Sequence, residues 1–166
     1  MRTFVGILLL LAASLLQVTL MMRIRLLDGA ADLVLLTLAP WILLAEGKPD
    51  WRWGLVAGLM VGYASALPGW VLVVAYGAAA AICVLLHRRI WQVALLTLVT
   101  SVLLGTLAIH LITMGYLWIS ANPLRFVDAM NLVTIPSMLL NLILVLPVYA
   151  VISEVDKLIT PAEQAV

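Results

Sequence analysis

Charge is scarce in this chain. Its 166 residues hold nine Lys or Arg and eight Asp or Glu, so 10% are charged, against about a quarter in soluble domains. With 66% hydrophobic residues and a mean hydropathy of +1.22, a water-soluble globular domain is excluded. A net charge of +1 offers no basic surface for nucleic acid. The one cysteine, Cys83, lies in an apolar stretch; it cannot form an intramolecular disulfide and reads as a packing residue.

Chemical motifs are scarce too. Gly47-Lys48 is followed by Pro49 rather than Ser or Thr, so no phosphate-binding loop is present. No His, Cys and acidic residues share metal-ligand spacing, and no Ser, His and Asp fall at one depth, so neither a metal centre, a cofactor site nor an enzyme is expected. Asp28 and Asp32 read as solvated charges in an external loop. No acidic residue falls inside a predicted helix, which removes the buried carboxylate an ion-coupled carrier uses.

What is present is a series of continuous apolar runs. In hydrocarbon, backbone polar groups must pair internally, so only helices or closed barrels span, and these runs lack the alternation of barrel strands. The chain is therefore predicted to be an all-α polytopic membrane bundle, a single transmembrane domain over residues 1–166. Its six spans are expected near 3–22, 33–45, 53–67, 70–86, 90–118 and 132–152, joined by short loops. The second is short for a crossing, which suggests a start in the interfacial layer or local thinning. The uncharged stretch from Trp53 to Leu86 suffices for two helices, with the turn at Pro68-Gly69. The first run is longer than a secretory signal core and is read as an uncleaved helix.

Orientation follows from Lys and Arg in short loops. With the N-terminus inside, Arg2, Lys48, Arg52, Arg88, Arg89 and Lys157 are cytoplasmic, while Arg23, Arg25 and Arg125 are external. Both termini are then expected in the cytoplasm. Trp51, Trp53, Trp70, Trp91 and Trp118 fall near predicted span ends, as an interfacial belt requires, and Trp41 lies near the cytoplasmic end of the second span.

Two helix faces stand out as candidates for helix packing or partner docking. Gly54, Gly58, Gly62 and Ala66 recur every four residues, a small-residue face that permits close backbone approach, within the chain before a partner. Gly77 and Ala81 repeat this more weakly. Thr134, Ser137 and Asn141 form a polar stripe on the last span, flanked by Pro136 and Pro147, each of which removes a donor and favours a bend. Ser14 and Gln17 make a smaller polar patch on the first span. His110, inside the fifth span, is read as a neutral side chain hydrogen-bonded to Thr106 or Thr113.

Three stretches together carry a family resemblance. Leu15-Leu16-Gln17-Val18-Thr19-Leu20, followed by Asp32-Leu33-Val34-Leu35-Leu36, resembles the opening of the rod-shape-determining MreD family. Ile135-Pro136-Ser137-Met138-Leu139-Leu140-Asn141, continuing through Pro147-Val148-Tyr149, is similar to that family's C-terminal signature of proline, small polar, Asn and then Pro-x-Tyr. Ala31 stands where the family has proline before the Asp, and Tyr63-Ala64-Ser65-Ala66 lacks the acidic residue found there. The resemblance implies a non-catalytic subunit of the bacterial inner membrane, without cofactors, in the machinery of cell elongation and peptidoglycan synthesis. Its implied partners are an MreC-like single-span protein and, through it, the RodA glycosyltransferase, a penicillin-binding transpeptidase and MreB filaments, besides membrane lipids. The alternative is a small-molecule-binding subunit similar to the substrate-binding component of energy-coupling-factor vitamin transporters, which needs convergent polar groups facing an external pocket.

Overall fold

The computed structural model describes residues 1–20, 28–45, 49–89, 94–120 and 125–159, and its regular elements are all helical. They are α1 (Arg2–Leu20), α2 (Leu33–Leu43), α3 (Arg52–Ala64), α4 (Gly69–Arg89), α5 (Ala94–Ile119) and α6 (Phe126–Ala129), which runs through a π-helical turn, Met130–Thr134, into α7 (Ile135–Ile159). The six predicted segments each find a helix. Four helical stretches are long and apolar enough to cross a membrane: α1, α4, α5 and the continuous Phe126–Ile159. These are the helices of a multi-pass membrane protein.

Successive helices alternate in direction. One end of the bundle gathers Arg2, whose Nε donates to Asp156 Oδ1 at 3.0 Å and whose Nη2 donates to the Trp41 carbonyl at 2.9 Å. The same end holds a cleft joining Thr3 to Asp50 and Arg52, and another joining Leu43 and Leu44 to His87, Ala94 and Tyr149. Trp70 meets Tyr116 edge-on at the opposite end. Arg2, Arg52, Arg88 and Lys157 therefore lie towards one end, as the charge distribution predicted, and Asp156 is drawn into the bundle rather than left in a solvated tail.

The short second helix corrects an expectation. Nine of the eleven residues of α2 are buried, and it packs against α1, α3, α4, α5 and α7. An apolar helix enclosed on every side is a core element, not a lipid-facing crossing. At about 1.5 Å per residue, Asp32 lies about 14 Å along the helix axis from Trp41, close to half of a hydrocarbon layer about 30 Å thick. The helix thus starts inside the bundle, enclosed by α1, α4 and α7.

The third helix is also shorter than its predicted span, 13 residues ending at Ala64, with Ser65–Leu67 forming a bend. Its glycines explain its close fit on α4. A Cβ at Gly54 would lie 2.4 Å from the Tyr76 carbonyl oxygen, and one at Gly58 would lie 2.5 Å from Val73 Cα. At Gly62 the nearest atom is Gly69 Cα at 3.0 Å, beside the turn. Ala66 falls in the bend and is exposed, so it does not extend this face.

Candidate functional site: a buried polar ladder around the start of α2

The approach to α2 starts from a missing donor. Pro136 has no N–H, so the carbonyl four residues earlier, Leu132, loses its usual helical partner, and the helix widens into the π turn there. The Asp28 N–H takes that carbonyl at 3.1 Å. Two residues on, the Ala30 N–H donates to Ser137 Oγ at 3.1 Å, and after two more the Asp32 N–H donates to Asn141 Oδ1 at 2.8 Å.

The spacing has a simple cause. Alternate amides of an extended segment point the same way and recur about every 6.6 Å, while residues four apart on a helix recur about every 6 Å on one face. Ser137 and Asn141 are such a pair. Gly29 allows the approach: a Cβ there would lie 2.7 Å from the Ser137 backbone nitrogen and 2.8 Å from Pro136 Cβ. Non-helical backbone at membrane depth is tolerated when protein groups pair it, and these three acceptors do so.

The ladder ends at Asp32, which caps α2. Its Oδ1 accepts the Leu35 N–H at 2.9 Å and its Oδ2 accepts the Tyr76 hydroxyl at 2.7 Å. Gln17 Oε1 accepts the Val34 N–H at 3.1 Å. First-turn amides of a helix have no partner within it, so an acidic N-cap and a neighbouring amide oxygen satisfy donors that hydrocarbon would leave bare. Asn141 Nδ2 in turn donates to Thr106 Oγ1 at 2.8 Å, and that hydroxyl donates to the Val102 carbonyl at 2.8 Å. Nearer the entrance of the segment, His110 Nδ1 and Thr134 Oγ1 lie 3.0 Å apart.

These contacts sort the candidate residues. Thr134, Ser137 and Asn141 are buried and Pro136 lies beside them; Pro136, Ser137, Asn141 and Gln17 converge on the segment from Asp28 to Leu35, while Thr134 turns to His110. Gly54, Gly58 and Gly62 sit apart, against α4. Pro147 is exposed on α7, and Tyr149 lines the cleft with His87 at the other end. His110 pairs with Thr134 across helices, not with Thr106 or Thr113 on its own, because the Thr106 and Thr113 hydroxyls bond back to carbonyls of their own helix.

The larger correction concerns Asp32. Read as a solvated loop charge, it is the N-cap of a helix enclosed by the bundle, with both carboxylate oxygens engaged by protein donors. Tyr76 was also missed, as was the bond from Asn141 to Thr106. The usable signals were local: an Asp immediately before an apolar helical run, and a proline four residues after a carbonyl that then needs a new donor.

A second polar cluster closes the cation-rich end. The Arg2 guanidinium carbon lies 4.7 Å above the Trp41 ring, and Trp41 meets Trp53 edge-on at 6.0 Å. Trp41 is thus a buried hub, whereas Trp51, Trp70 and Trp118 are exposed near helix ends as an interfacial belt requires. Trp91 lies outside the described residues. Chemically, both clusters bind parts of this chain together: each carboxylate oxygen of Asp32 and both amide groups of Asn141 have partners within it.

Comparison of the chain with protein-family models, with curated proteins and with solved structures returns no match.

Proposed function

We propose that this chain is a non-catalytic scaffold subunit of a bacterial inner-membrane assembly, of the kind the MreD resemblance implies, which positions an MreC-like single-span partner in the cell-elongation machinery. The observation that carries the reading is the buried ladder. Pro136, Ser137 and Asn141, residues on which the resemblance rests, hold the segment from Asp28 to Asp32 inside the bundle. Their polar atoms serve internal architecture, which is what a rigid docking body needs and what a reaction centre does not. In this reading both termini face the cytoplasm with the cation-rich end.

The docking surface differs from the two faces first considered. The glycine face is occupied by α4 and the polar stripe by the segment before α2, so neither is free for a partner helix. The outward face of α1 beside its seam with α3 is open: Phe4, Leu8 and Leu16 are all exposed.

The test is co-expression with the MreC-like protein of the same organism, affinity capture in mild detergent, and subunit counting. A stoichiometric complex is the expected result. Recovery of this chain alone and well folded contradicts the scaffold reading, and a small molecule retained in native mass spectrometry of that lone chain would favour the transporter-subunit alternative.

A further inference from the structure

The seam between α1 and α3 carries two clefts on one continuous line. Nearest the cation-rich end is a cleft of about 240 Å³ lined by Thr3, Ile7, Asp50, Arg52, Trp53 and Val56. Further along is one of about 480 Å³ between Leu11, Ser14, Leu15 and Val18 of α1 and Leu59, Met60 and Tyr63 of α3. Thr3, Ile7, Leu11, Ser14 and Val18 step by three or four residues, as do Arg52, Val56, Leu59 and Tyr63, so each set forms one helix face. The two faces run side by side in the same direction from Arg52 to Tyr63.

We infer that this seam binds one membrane phospholipid with an anionic headgroup, its phosphate at Arg52 and an acyl chain along the cleft towards Tyr63. Length is the first support: the eleven residue steps of helix from Arg52 to Tyr63 cover about 16 Å, the depth of one leaflet of a hydrocarbon layer about 30 Å thick. Polarity is the second. The deep part is mostly apolar: of its two hydroxyl-bearing residues, Ser14 turns back to the Leu10 carbonyl at 2.8 Å and Tyr63 stands at the exposed outer wall. Its outer wall is Leu59 and Tyr63, 63% and 98% exposed, so a chain can enter from the bilayer.

Charge is the third support. Among the described residues, the exposed Arg52 guanidinium has no ion pair, whereas Arg2 is engaged by Asp156. The nearby carboxylate does not neutralise Arg52 from the side: Asp50 Oδ1 accepts the Arg52 backbone N–H at 2.9 Å, over the start of α3, where a helix favours negative charge. The guanidinium is left to the groove mouth. Trp53 lines the same mouth, in the headgroup layer that indole rings favour, and this end is the one the charge distribution assigns to the cytoplasmic leaflet, which carries anionic lipid.

The experiment places a benzophenone-bearing residue at Leu59 of the full chain, reconstituted in vesicles of equimolar phosphatidylglycerol and phosphatidylcholine with identical chains. After illumination, intact mass spectrometry reads the adducts. The expected product is a one-phospholipid adduct, with phosphatidylglycerol favoured about fivefold, the factor of one basic side chain near an anionic surface. Arg52→Gln should abolish that preference while adducts still form, and Arg88→Gln, at the same end but off the seam, should leave it intact. Equal labelling by the two lipids, a preference unchanged in Arg52→Gln, or an adduct to a second copy of the chain overturns the proposal. The photoprobe in whole-cell membranes adds one further outcome: a polypeptide adduct there, in place of lipid, would assign the seam to a partner helix and overturn it too.

Discussion

The α3–α4 seam and the junction between the Asp28–Asp32 segment and α7 solve one problem in opposite ways. Lipid tails are as apolar as leucine, so burial alone gives helices little reason to associate inside a bilayer. At α3–α4 the answer is shape: glycines bring backbones so close that a methyl group would overlap Tyr76, Leu72 or Val73. At α7 the answer is hydrogen bonding, with a vacated carbonyl and two polar side chains meeting alternate amides. The first seam depends on atoms that are absent and should fail abruptly when one is added. The second depends on discrete bonds and should weaken stepwise.

Variants can break or sharpen this contrast. The largest effect is expected for Gly58→Ala, whose new methyl meets Leu72 and Val73 backbone atoms that cannot rotate away. Overpacking against such neighbours costs about 3 kcal/mol, and the unfolding midpoint in mild detergent should fall furthest for this variant. Its weakened partner recovery would then reflect misfolding, because α4 already occupies that face.

Asn141→Leu comes next. It strips acceptor and donor from the Asp32 N–H and the Thr106 hydroxyl at once, a loss of about 2 kcal/mol if both stay buried. A double-mutant cycle with Thr106→Val should return a positive coupling, since the two side chains share one bond. Additive effects would remove that bond from the structure's support.

Asp32→Asn should be milder, about 1 kcal/mol: an amide oxygen can still cap Leu35, while the Tyr76 hydroxyl must change its partner or its role. Smallest is Gly62→Ala, about 0.5 kcal/mol, because its nearest neighbour is another glycine beside the Pro68 turn, where the chain can give. If Gly62→Ala proved as damaging as Gly58→Ala, the graded closeness along α3 would not govern the seam.

Much of this architecture was legible in the chain. Apolar run length and the small charge clusters located six helical segments, and the register of Gly54, Gly58 and Gly62 marked a packing face, because glycine has one physical use at that spacing. The stripe Thr134, Ser137 and Asn141 was visible for the same reason. Its partners were not: Ser137 and Asn141 accept the backbone amides of Ala30 and Asp32, Thr134 pairs with His110, and backbone donors leave no trace in side-chain pattern. Asp32 was misplaced because short polar segments between apolar runs are ordinarily solvated, and only the enclosure of α2 on all sides reverses that. The α1–α3 groove is illegible for another reason: leucines that face lipid and leucines that line a groove are the same residues until the neighbouring helix is known to stop at Ala64.

The most direct test of the buried ladder is amide hydrogen exchange across residues 28–36 in the folded chain, compared between the natural sequence and the Ser137→Ala, Asn141→Leu double variant. If the segment is pinned inside the bundle, its amides exchange slowly, with protection close to that of α2, and the double variant releases Ala30 and Asp32 while the centres of α4 and α5 stay protected. Exchange at the rate of an open loop in the natural sequence would contradict the ladder and return Asp32 to the solvent.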